Sequence, residues 1–591
     1  MPTPQPATPL HYRIEPADLH AHLFHVTLTI AQPAAQQRVA LPVWIPGSYM
    51  VREFAKNLQN LRATQGRRSV PLQQLDKATW QVDAAPGKPL VLTYAVYALD
   101  NSVRTAWLDA SRGFFNGTSL CLQVAGQETL PHALELMSTR ATATWHVATG
   151  LPAVATNTRG FGSYVADDYD ALVDHPFELG HFWSGEFKAC GVPHRFVVAG
   201  AAPSFDGARL LADTQKICEA EIRFWHPRGK PPHTNYVFML NAVDDGYGGL
   251  EHRNSTALIC TRRDLPRVGD KRSSEGYTTL LGLISHEYFH TWNVKRLKPA
   301  AFAQFDYSRE NYTHQLWFFE GFTSYYDDLL LRRAGLLDDA AYLRLLNKTI
   351  NQVDQTPGRL VQSVAESSFD AWVKYYRQDE NTPNATVSYY TKGALVALCL
   401  DLTLRAEGTT DLDEVMRSLF KRCKGGPMSE ADLLDVLQLL AGRSLAPELA
   451  QWVHSTDTLP LQPLLERHGV AIHADPSHMA QRLGLRVAEA GNIVVKTVLR
   501  GGAAEKAGFC AGDEWLGVEL PGEREGWRLQ KLDDLALYAG SQLRMTALVS
   551  RDKRLLRLPL VVPEGVTTWR LAARDAAALT AWLGAKASAA A

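Results

Sequence analysis

Residues 280–298 of this 591-residue chain contain the motif His286-Glu287-Tyr288-Phe289-His290. On an α-helix, residues four apart lie on one face, so His286 and His290 can direct two imidazoles at one metal ion, a pattern typical of zinc. Glu287 is turned by about 100° from His286, which suits a general base better than a ligand. Apolar residues at helical spacing predict the helix, and Pro299 is expected to end it.

Residues 315–331 offer a third metal ligand. Glu320 is the one acid inside an aromatic run of this segment, and a carboxylate in such surroundings is costly unless it is paired or coordinated. A catalytic zinc has three protein ligands and an open position for water, so we expect one zinc per chain. The alternative is a chance match, in which both histidines of the motif are ordinary polar residues.

Composition excludes several classes of protein. The formal net charge is -1, so no basic excess favours nucleic acid or a membrane surface as a partner. The seven cysteines are scattered, odd in number and without CxxC spacing, which is typical of reduced thiols. The first residues lack the pattern of a signal peptide, and no apolar run approaches the roughly 20 residues of a membrane span. We therefore expect a cytoplasmic protein.

A chain of this length is too long for a single core. Short strands separated by turn residues predict a sandwich-like β domain at the start, and helical periodicity dominates after about residue 337. The expected segments are 1–166 (β-sandwich), 167–337 (catalytic), 338–475 (helical), 476–562 (a further small domain) and 563–591 (helix and tail).

Glycines mark one turn of the catalytic segment. Strands are predicted at residues 236–240 and 255–260, and the turn between them, residues 246–252, contains Gly248, Gly249 and Glu251. Glycines allow a backbone to approach a ligand closely. The alternative interpretation is a surface hairpin whose acid is solvated.

Two tyrosines open an apolar helix in the helical segment. Tyr389 and Tyr390 lie in the sequence SYYTKGA. From the residues alone, packing at the helix N-terminus is the favoured interpretation, and a catalytic role is the alternative.

Residues 476–562 resemble a PDZ domain. Leu483, Gly484 and Leu485 match the loop whose amides hold a peptide carboxylate, and the strand that follows matches the docking edge. A C-terminal peptide is the partner that this resemblance implies. The remaining segment, residues 567–591, is expected to form a short helix with an Ala-rich frayed end.

Several motifs together resemble one family. HEYFHTW, LWFFEGFTSYY, GGLEH, SYYTKGA, PGSYMVREF and the PDZ-like block are similar to the glycyl aminopeptidase family of gluzincin zinc metallopeptidases, which is related to aminopeptidase N. The resemblance implies a multidomain α+β fold. Its parts would be an N-terminal β-sandwich, a thermolysin-like catalytic domain, an α-helical domain and a C-terminal PDZ domain.

The resemblance also implies roles for individual residues. They are zinc binding by His286, His290 and Glu320, general-base action by Glu287, transition-state donation by Tyr390, and binding of the substrate's free amine by Glu251 beside Gly248 and Gly249. The implied activity is removal of small first residues such as Gly or Ala from peptides with a free N-terminus. The sequence GLEH replaces the GAMEN of aminopeptidase N, so the substrate range of that enzyme does not transfer.

Two other functions stay open at this point. One is a zinc endopeptidase guided by its PDZ domain. The other is a non-catalytic PDZ binding protein with a structural zinc, against which Glu287 argues, because a structural site has no use for a base beside its ligands.

Overall fold

The computed structural model describes residues 9–270 and 272–584, which form two compact units. The described residues up to Tyr312 belong to the first unit, together with Phe420–Met428. Thr313–Leu419 and the described residues from Ser429 onward form the second. Within the described part of the chain, no helix has both the length and the apolar character needed to cross a lipid bilayer.

The first unit begins with a β-rich region. Its elements are β1 (Leu10–Asp18), β2 (Leu23–Ile30), β3 (Gln36–Ala40), β4 (Leu58–Gln65), β5 (Arg68–Val70), β6 (Leu72–Gln74), β7 (Thr79–Asp83), β8 (Leu90–Tyr97), β9 (Ala106–Leu108), β10 (Arg112–Phe115), α1 (Gly117–Leu120), β11 (Gln123–Val124), β12 (His132–Leu136), β13 (His146–Thr149), β14 (Ala153–Thr156), β15 (Gly162–Ala166), α2 (Tyr169–Val173) and β16 (Phe177–Gly180). The prediction of an N-terminal β-rich domain is confirmed.

These strands form three sheets around one apolar core. The sheet orders are β14-β15-β12-β1-β2-β8-β4-β5, β13-β16-β10-β9 and β11-β3-β7-β6. Tyr12, Trp80 and Phe115, one from each sheet, lie in the shared core. Strand β16 pairs with both β10 and β13, so the β-rich region extends to Gly180.

A five-stranded sheet with two long helices follows in the same unit. Its elements are β17 (Trp183–Ala189), β18 (Val192–Ala199), α3 (Gly207–Trp225), β19 (Tyr236–Val243), β20 (Gly248–Glu251), β21 (Ser255–Thr261), α4 (Glu275–Phe289) and β22 (Lys298–Pro299), and the sheet order is β17-β18-β19-β21-β20. The predicted strands β19 and β21 are confirmed. The prediction of a turn over residues 246–252 is wrong in part, because Gly248–Glu251 pairs antiparallel with β21 as an edge strand.

Helix α4 carries the HExxH motif and is shorter than predicted. It begins after Ser274, whose side chain accepts a hydrogen bond from the Tyr277 amide, and ends at Phe289. The expectation that Pro299 ends it is wrong. The chain turns back after His290, Trp292 is fully buried, and Val294 adopts a φ of 107° that a helix does not allow. The chain thus buries the Trp292 ring instead of continuing the helix to Pro299.

The second unit opens with helices. They are α5 (Leu316–Phe319), α6 (Gly321–Arg333), α7 (Asp339–Asp354), α8 (Val364–Phe369), α9 (Thr382–Ala385), α10 (Thr391–Glu407), α11 (Leu412–Arg422), α12 (Glu430–Ala441), α13 (Ala446–Trp452) and α14 (Leu461–Arg467), and β23 (Pro427–Met428) falls between α11 and α12 in the chain. The last residues of α11 and all of β23 belong to the first unit, where β23 pairs with β22. The predicted helical region is confirmed.

Two glycines bring α6 and α10 close together in the second unit. A Cβ on Gly321 would lie 2.5 Å from the Cα of Gly393, and a Cβ on Gly393 would lie 2.5 Å from the carbonyl oxygen of Trp317. Contacts this close leave room for no side chain at either position. Because Glu320 precedes Gly321 and Tyr390 begins α10, this crossing also fixes where those two residues lie.

The C-terminal part of the second unit has its own sheet and core. Its elements are β24 (Val470–Pro476), α15 (Met479–Leu483), β25 (Leu485–Glu489), β26 (Ile493–Val498), α16 (Ala503–Ala507), β27 (Glu514–Glu519), β28 (Gly526–Arg528), α17 (Asp534–Ala539), β29 (Arg544–Arg551), β30 (Arg554–Val561), β31 (Thr567–Ala573) and α18 (Ala576–Leu583). The sheet order is β25-β26-β27-β29-β30, with β28 on β27, around the buried Trp515.

Strands β24 and β31 pair with each other where the chain enters and leaves this sheet. The short helix predicted within residues 567–591 is present as α18, and residues 567–573 before it form a strand whose partner lies about a hundred positions earlier in the chain. Helix α18 follows, and most of the predicted Ala-rich end lies outside the described residues. The side chain of Asn351 on α7 exchanges two hydrogen bonds, of 2.8 and 3.0 Å, with the backbone of Trp569 on β31.

The glycine contact between α6 and α10 is testable by Gly393→Ala. The added methyl group has no space, and overpacking of this kind costs about 1–3 kcal/mol, so we expect a lower Tm in calorimetry. Gly229→Ala is the control, since Gly229 is exposed and its added Cβ would come no closer than 3.3 Å to another atom. A Gly393→Ala protein as stable as the wild type would contradict the close contact.

Candidate functional site

His286 of α4 and His290, the C-cap residue of that helix, direct their rings to one point, as the four-residue spacing predicts. Their Nε2 atoms lie 3.1 Å apart. Two ligands of one zinc, each about 2.0–2.1 Å from the ion, lie at a similar separation. Nδ1 of His290 lies 2.8 Å from the carbonyl oxygen of Asn293, which can only accept, so Nδ1 carries the proton and the lone pair of Nε2 stays available for a metal.

Glu287 is buried beside strand β20. Its side chain is 5% exposed, and a Cβ on Gly249 would lie only 2.0 Å from its Oε1. Any larger residue at position 249 would displace the carboxylate. Gly249 is held in turn by Arg104, whose Nη2 donates a 3.1 Å hydrogen bond to the Gly249 carbonyl oxygen. The edge strand and the proposed base are therefore packed directly together.

Glu251 ends β20 and is also 5% exposed. Within the described residues, its carboxylate has no hydrogen-bond or ion-pair partner. Gly47 covers it from the segment PGSYMVREF: the φ of Gly47 is +86°, and a Cβ there would lie 2.5 Å from Oε1 of Glu251. A largely buried carboxylate that pairs with no group of the described protein is suited to a cationic ligand.

Asp174 connects the chain after β20 to the chain after α4. Its Oδ1 accepts from the Lys295 ammonium at 2.6 Å and from Nδ1 of His252 at 3.2 Å, and its Oδ2 accepts from the Arg253 amide at 3.1 Å. Burial alone would raise the pKa of Asp174, but the Lys295 ammonium and the hydrogen bond with His252 hold that pKa well below its usual range. The ion pair thereby anchors the residues that follow Glu251.

Two of the residues singled out by the sequence, Glu320 and Tyr390, lie in the second unit. Glu320 is 2% exposed and lies between α5 and α6, and Tyr390 is the N-cap residue of α10. Burial, reinforced by the Glu320 carboxylate, raises the pKa of Tyr390 well above its ordinary value. The hydroxyl of Tyr376 lies 3.4 Å from that of Tyr390.

His286, His290 and Glu320 have the composition of a metal site, since each residue offers one atom that could bind a metal ion. Two imidazole nitrogens and one carboxylate oxygen are the ligands of one class of catalytic zinc site.

The structure also gives a position to the predicted carboxylate loop. Leu483 is the last residue of α15, Gly484 has a left-handed φ of 71°, and Leu485 begins β25, which is an edge strand. A role for these three residues in binding stays a prediction.

Four residues beside the candidate site carry no assignment from the sequence: Gly47, Arg104, Asp174 and Tyr376. The segment PGSYMVREF, which contains Gly47, stands out as a loop rich in turn formers and aromatics, and Tyr376 belongs to a tyrosine doublet. Arg104 and Asp174 carry no local signal, since each acts on residues far away in the chain.

Comparison with known proteins assigns the chain to a class. Residues 11–181 match the M61 peptidase N-terminal domain, and residues 279–396 match the M61 glycyl aminopeptidase domain. No curated protein matches the chain. These matches define a peptidase.

Solved structures extend the comparison to nearly the whole chain. An aminopeptidase N family protein from Idiomarina loihiensis is 37% identical over 97% of this chain and 100% of its own, with a TM-score of 0.92. An M1 zinc metallopeptidase from Deinococcus radiodurans is 16% identical over 76% of this chain and 94% of its own, with a TM-score of 0.47. The protein belongs to the M61 glycyl aminopeptidase family.

Removal of the Asp174 charge should destabilise the protein. Asp174→Asn leaves the Lys295 ammonium, 9% exposed, without its counter-ion, which costs about 3–5 kcal/mol and lowers the Tm. Because the folded pKa of Asp174 is depressed, its stabilisation is present above the unfolded pKa of about 3.9 and is lost as pH falls through the folded pKa.

The control is an ion pair of similar length on the solvent-exposed surface of the protein. Asp475 and Arg570 are 2.7 Å apart, but their side chains are 44% and 53% exposed, so Asp475→Asn should cost at most about 1 kcal/mol. Equal Tm values for the two variants would show that burial adds nothing to the Asp174 pair.

Proposed function

We propose that this protein is a zinc-dependent aminopeptidase that hydrolyses the first peptide bond of substrates with a free N-terminus. The preference for a small first residue, Gly or Ala, rests on the family to which the chain belongs. One zinc per chain is proposed, held by His286, His290 and Glu320, and the composition of their cluster supports this assignment. A zinc bound there supplies a Lewis acid for the scissile carbonyl and the attacking water.

Glu287 is the proposed general base. Its carboxylate accepts a proton from the attacking water and then delivers that proton to the leaving amine. The contact with Gly249 supports this role, because it holds the carboxylate in one place beside the edge strand. An extended substrate that adds to the open edge of β20 would pass directly along it.

Tyr390 is the proposed donor to the oxyanion of the tetrahedral intermediate. Its phenol is protonated at neutral pH, as a donor must be, since even the ordinary pKa of tyrosine is about 10. The Tyr376 hydroxyl, 3.4 Å away, is positioned to orient it.

The observation that carries the aminopeptidase assignment is the buried carboxylate of Glu251 without a partner within the described residues. The α-amine of a peptide has a pKa near 8 and is largely protonated at neutral pH, so it supplies the missing charge. A substrate held by its amine at the end of β20 also has its position along that strand fixed. This distinguishes an aminopeptidase from an endopeptidase, which has no need of such a group.

The domain assignments stay part of the proposal. We propose domain boundaries at 166, 337, 475 and 562. We also propose that the last sheet is a PDZ domain in which Leu483, Gly484 and Leu485 bind a peptide C-terminus, and the edge position of β25 supports this assignment. A cytoplasmic location is proposed because all seven cysteines are free thiols.

The aminopeptidase proposal is tested by blocked substrates and by Glu251→Gln. Wild-type protein should cleave glycyl and alanyl amides but hardly their N-acetyl forms, since a blocked amine forfeits about 2–5 kcal/mol of pairing with Glu251. Glu251→Gln should lose kcat/KM on free amines while its zinc content is unchanged. The exposed Glu564→Gln is the control. Equal rates on free and acetylated peptides would reject the aminopeptidase and favour an endopeptidase.

The metal assignment is tested by zinc analysis of purified variants. His286→Ala, His290→Ala and Glu320→Ala should each lose zinc, because each removes one of three protein ligands. Glu287→Gln should retain zinc and lose about 10²- to 10⁴-fold in turnover, the usual contribution of a general base. His20→Ala, which changes an exposed histidine, should alter neither. Zinc lost from Glu287→Gln would mean that Glu287 is a ligand.

A further inference from the structure

A large cavity lies within the second unit, away from every residue of the proposed catalytic centre. Its volume is about 1660 Å³, and its walls come from α7 and the chain after it, from β24 and β31, and from the segments around β25 and α16. Binding sites for small molecules usually measure about 300–1000 Å³. This cavity is of a size for several residues of an extended chain.

The cavity is strongly cationic although the chain as a whole has a net charge of -1. Seven Lys and Arg residues line it against two Asp residues. Both acids already have partners: Asp354 pairs with Arg359 at 3.1 Å, and Asp475 pairs with Arg570 at 2.7 Å. Five cations have no carboxylate partner within the described residues: Lys348, Arg482, Arg486, Arg500 and Lys506.

One of these cations is held in position. Arg482 donates from Nε and Nη2 to the carbonyl oxygen of Pro563, at 3.2 and 2.9 Å. Its other N–H groups stay available to a carboxylate. Arg486 lies on β25, an edge strand, and Lys348 extends from α7 on another wall, so the charges surround the cavity rather than covering one face.

Exposed apolar side chains accompany the charges. Leu360 is 59% exposed and Val561 is 56% exposed, and both line the cavity. Trp569 is the one phenyl, phenol or indole ring among the lining residues, whereas sites for single-stranded nucleic acid present several aromatic rings to stack with bases. Charge and apolar surface together match a peptide in which acidic and aliphatic residues are mixed.

We propose that this cationic cavity is a docking site for an acidic, extended segment of a polypeptide. The inference rests on the proposed PDZ function, since Gly484 and Leu485 of the proposed carboxylate loop line the cavity. It is independent of the proposed zinc chemistry, since none of the proposed catalytic residues lines the cavity. A polypeptide held there would be retained by a part of its sequence other than its amino terminus. The protein would thus select substrates by an acidic segment that binds in the cavity as well as by their first residue.

The test uses the full-length protein and fluorescence anisotropy. The probe is a short labelled peptide in which Glu alternates with Val, amidated at its C-terminus so that binding does not depend on the proposed carboxylate loop. The same peptide with Lys in place of Glu is its control. The acidic peptide should bind, and its affinity should fall with salt because charge pairs are screened. The double variant Lys348→Glu/Arg486→Glu should weaken binding about tenfold or more. Arg554→Glu, an exposed change on β30 outside the cavity, should have little effect.

Cleavage of alanyl amide should be unchanged in all these variants, which separates loss of docking from loss of the active site. The milder Arg486→Gln, with circular dichroism of each variant, checks that weakened binding does not reflect unfolding. The proposal is overturned if the Lys peptide binds as tightly, if Arg554→Glu weakens binding as much as the double variant, or if the acidic peptide does not bind. Tighter binding of an oligothymidylate than of the peptide would assign the cavity to nucleic acid instead.

Discussion

The ion pair of Asp174 with Lys295 is the interaction on which the first unit's part of the site depends. Asp174 follows α2 in the β-rich region, whereas Lys295 follows the HExxH helix, so the pair joins segments that are far apart in the chain. The other carboxylate oxygen of Asp174 accepts a hydrogen bond from the backbone amide of Arg253, two residues after Glu251. Because the pair is buried, movement of either segment would leave a charge without a partner, and this penalty keeps the two segments in register.

Glycines leave the space that the buried carboxylates occupy. The absence of a side chain at Gly249 leaves room for the Glu287 carboxylate, and its absence at Gly47 leaves room for the Glu251 carboxylate. The contact of Gly321 with Gly393 lets two helices pack closely, one beginning after Glu320 and the other after Tyr390. In each case a Cβ would enter space that a functional atom or a helix backbone occupies. Acids can then be buried at defined positions without a large cavity around them, which favours fixed geometry over flexibility.

The sequence predicts local features of this protein well. The α4 helix and the start of α10 at Tyr390 follow from residues that lie within a few positions of each other. Predictions that need a distant partner are less successful. Gly248–Glu251 and Thr567–Ala573 are strands because β21 and β24 pair with them, and neither partner is visible in the local pattern.

The HExxH motif, the aromatic setting of Glu320 and the order of β-rich and helical regions were determined by the sequence itself. Side-chain spacing on one helix needs no further information to direct two imidazoles to one side. Only the tertiary structure decided that α4 stops at Phe289, that Glu251 is buried without a partner in the described residues, and that Asp174 and Arg104 support the segment around it. The reason is physical: burial and pairing depend on groups that folding brings together from distant parts of the chain, and no local spacing encodes them.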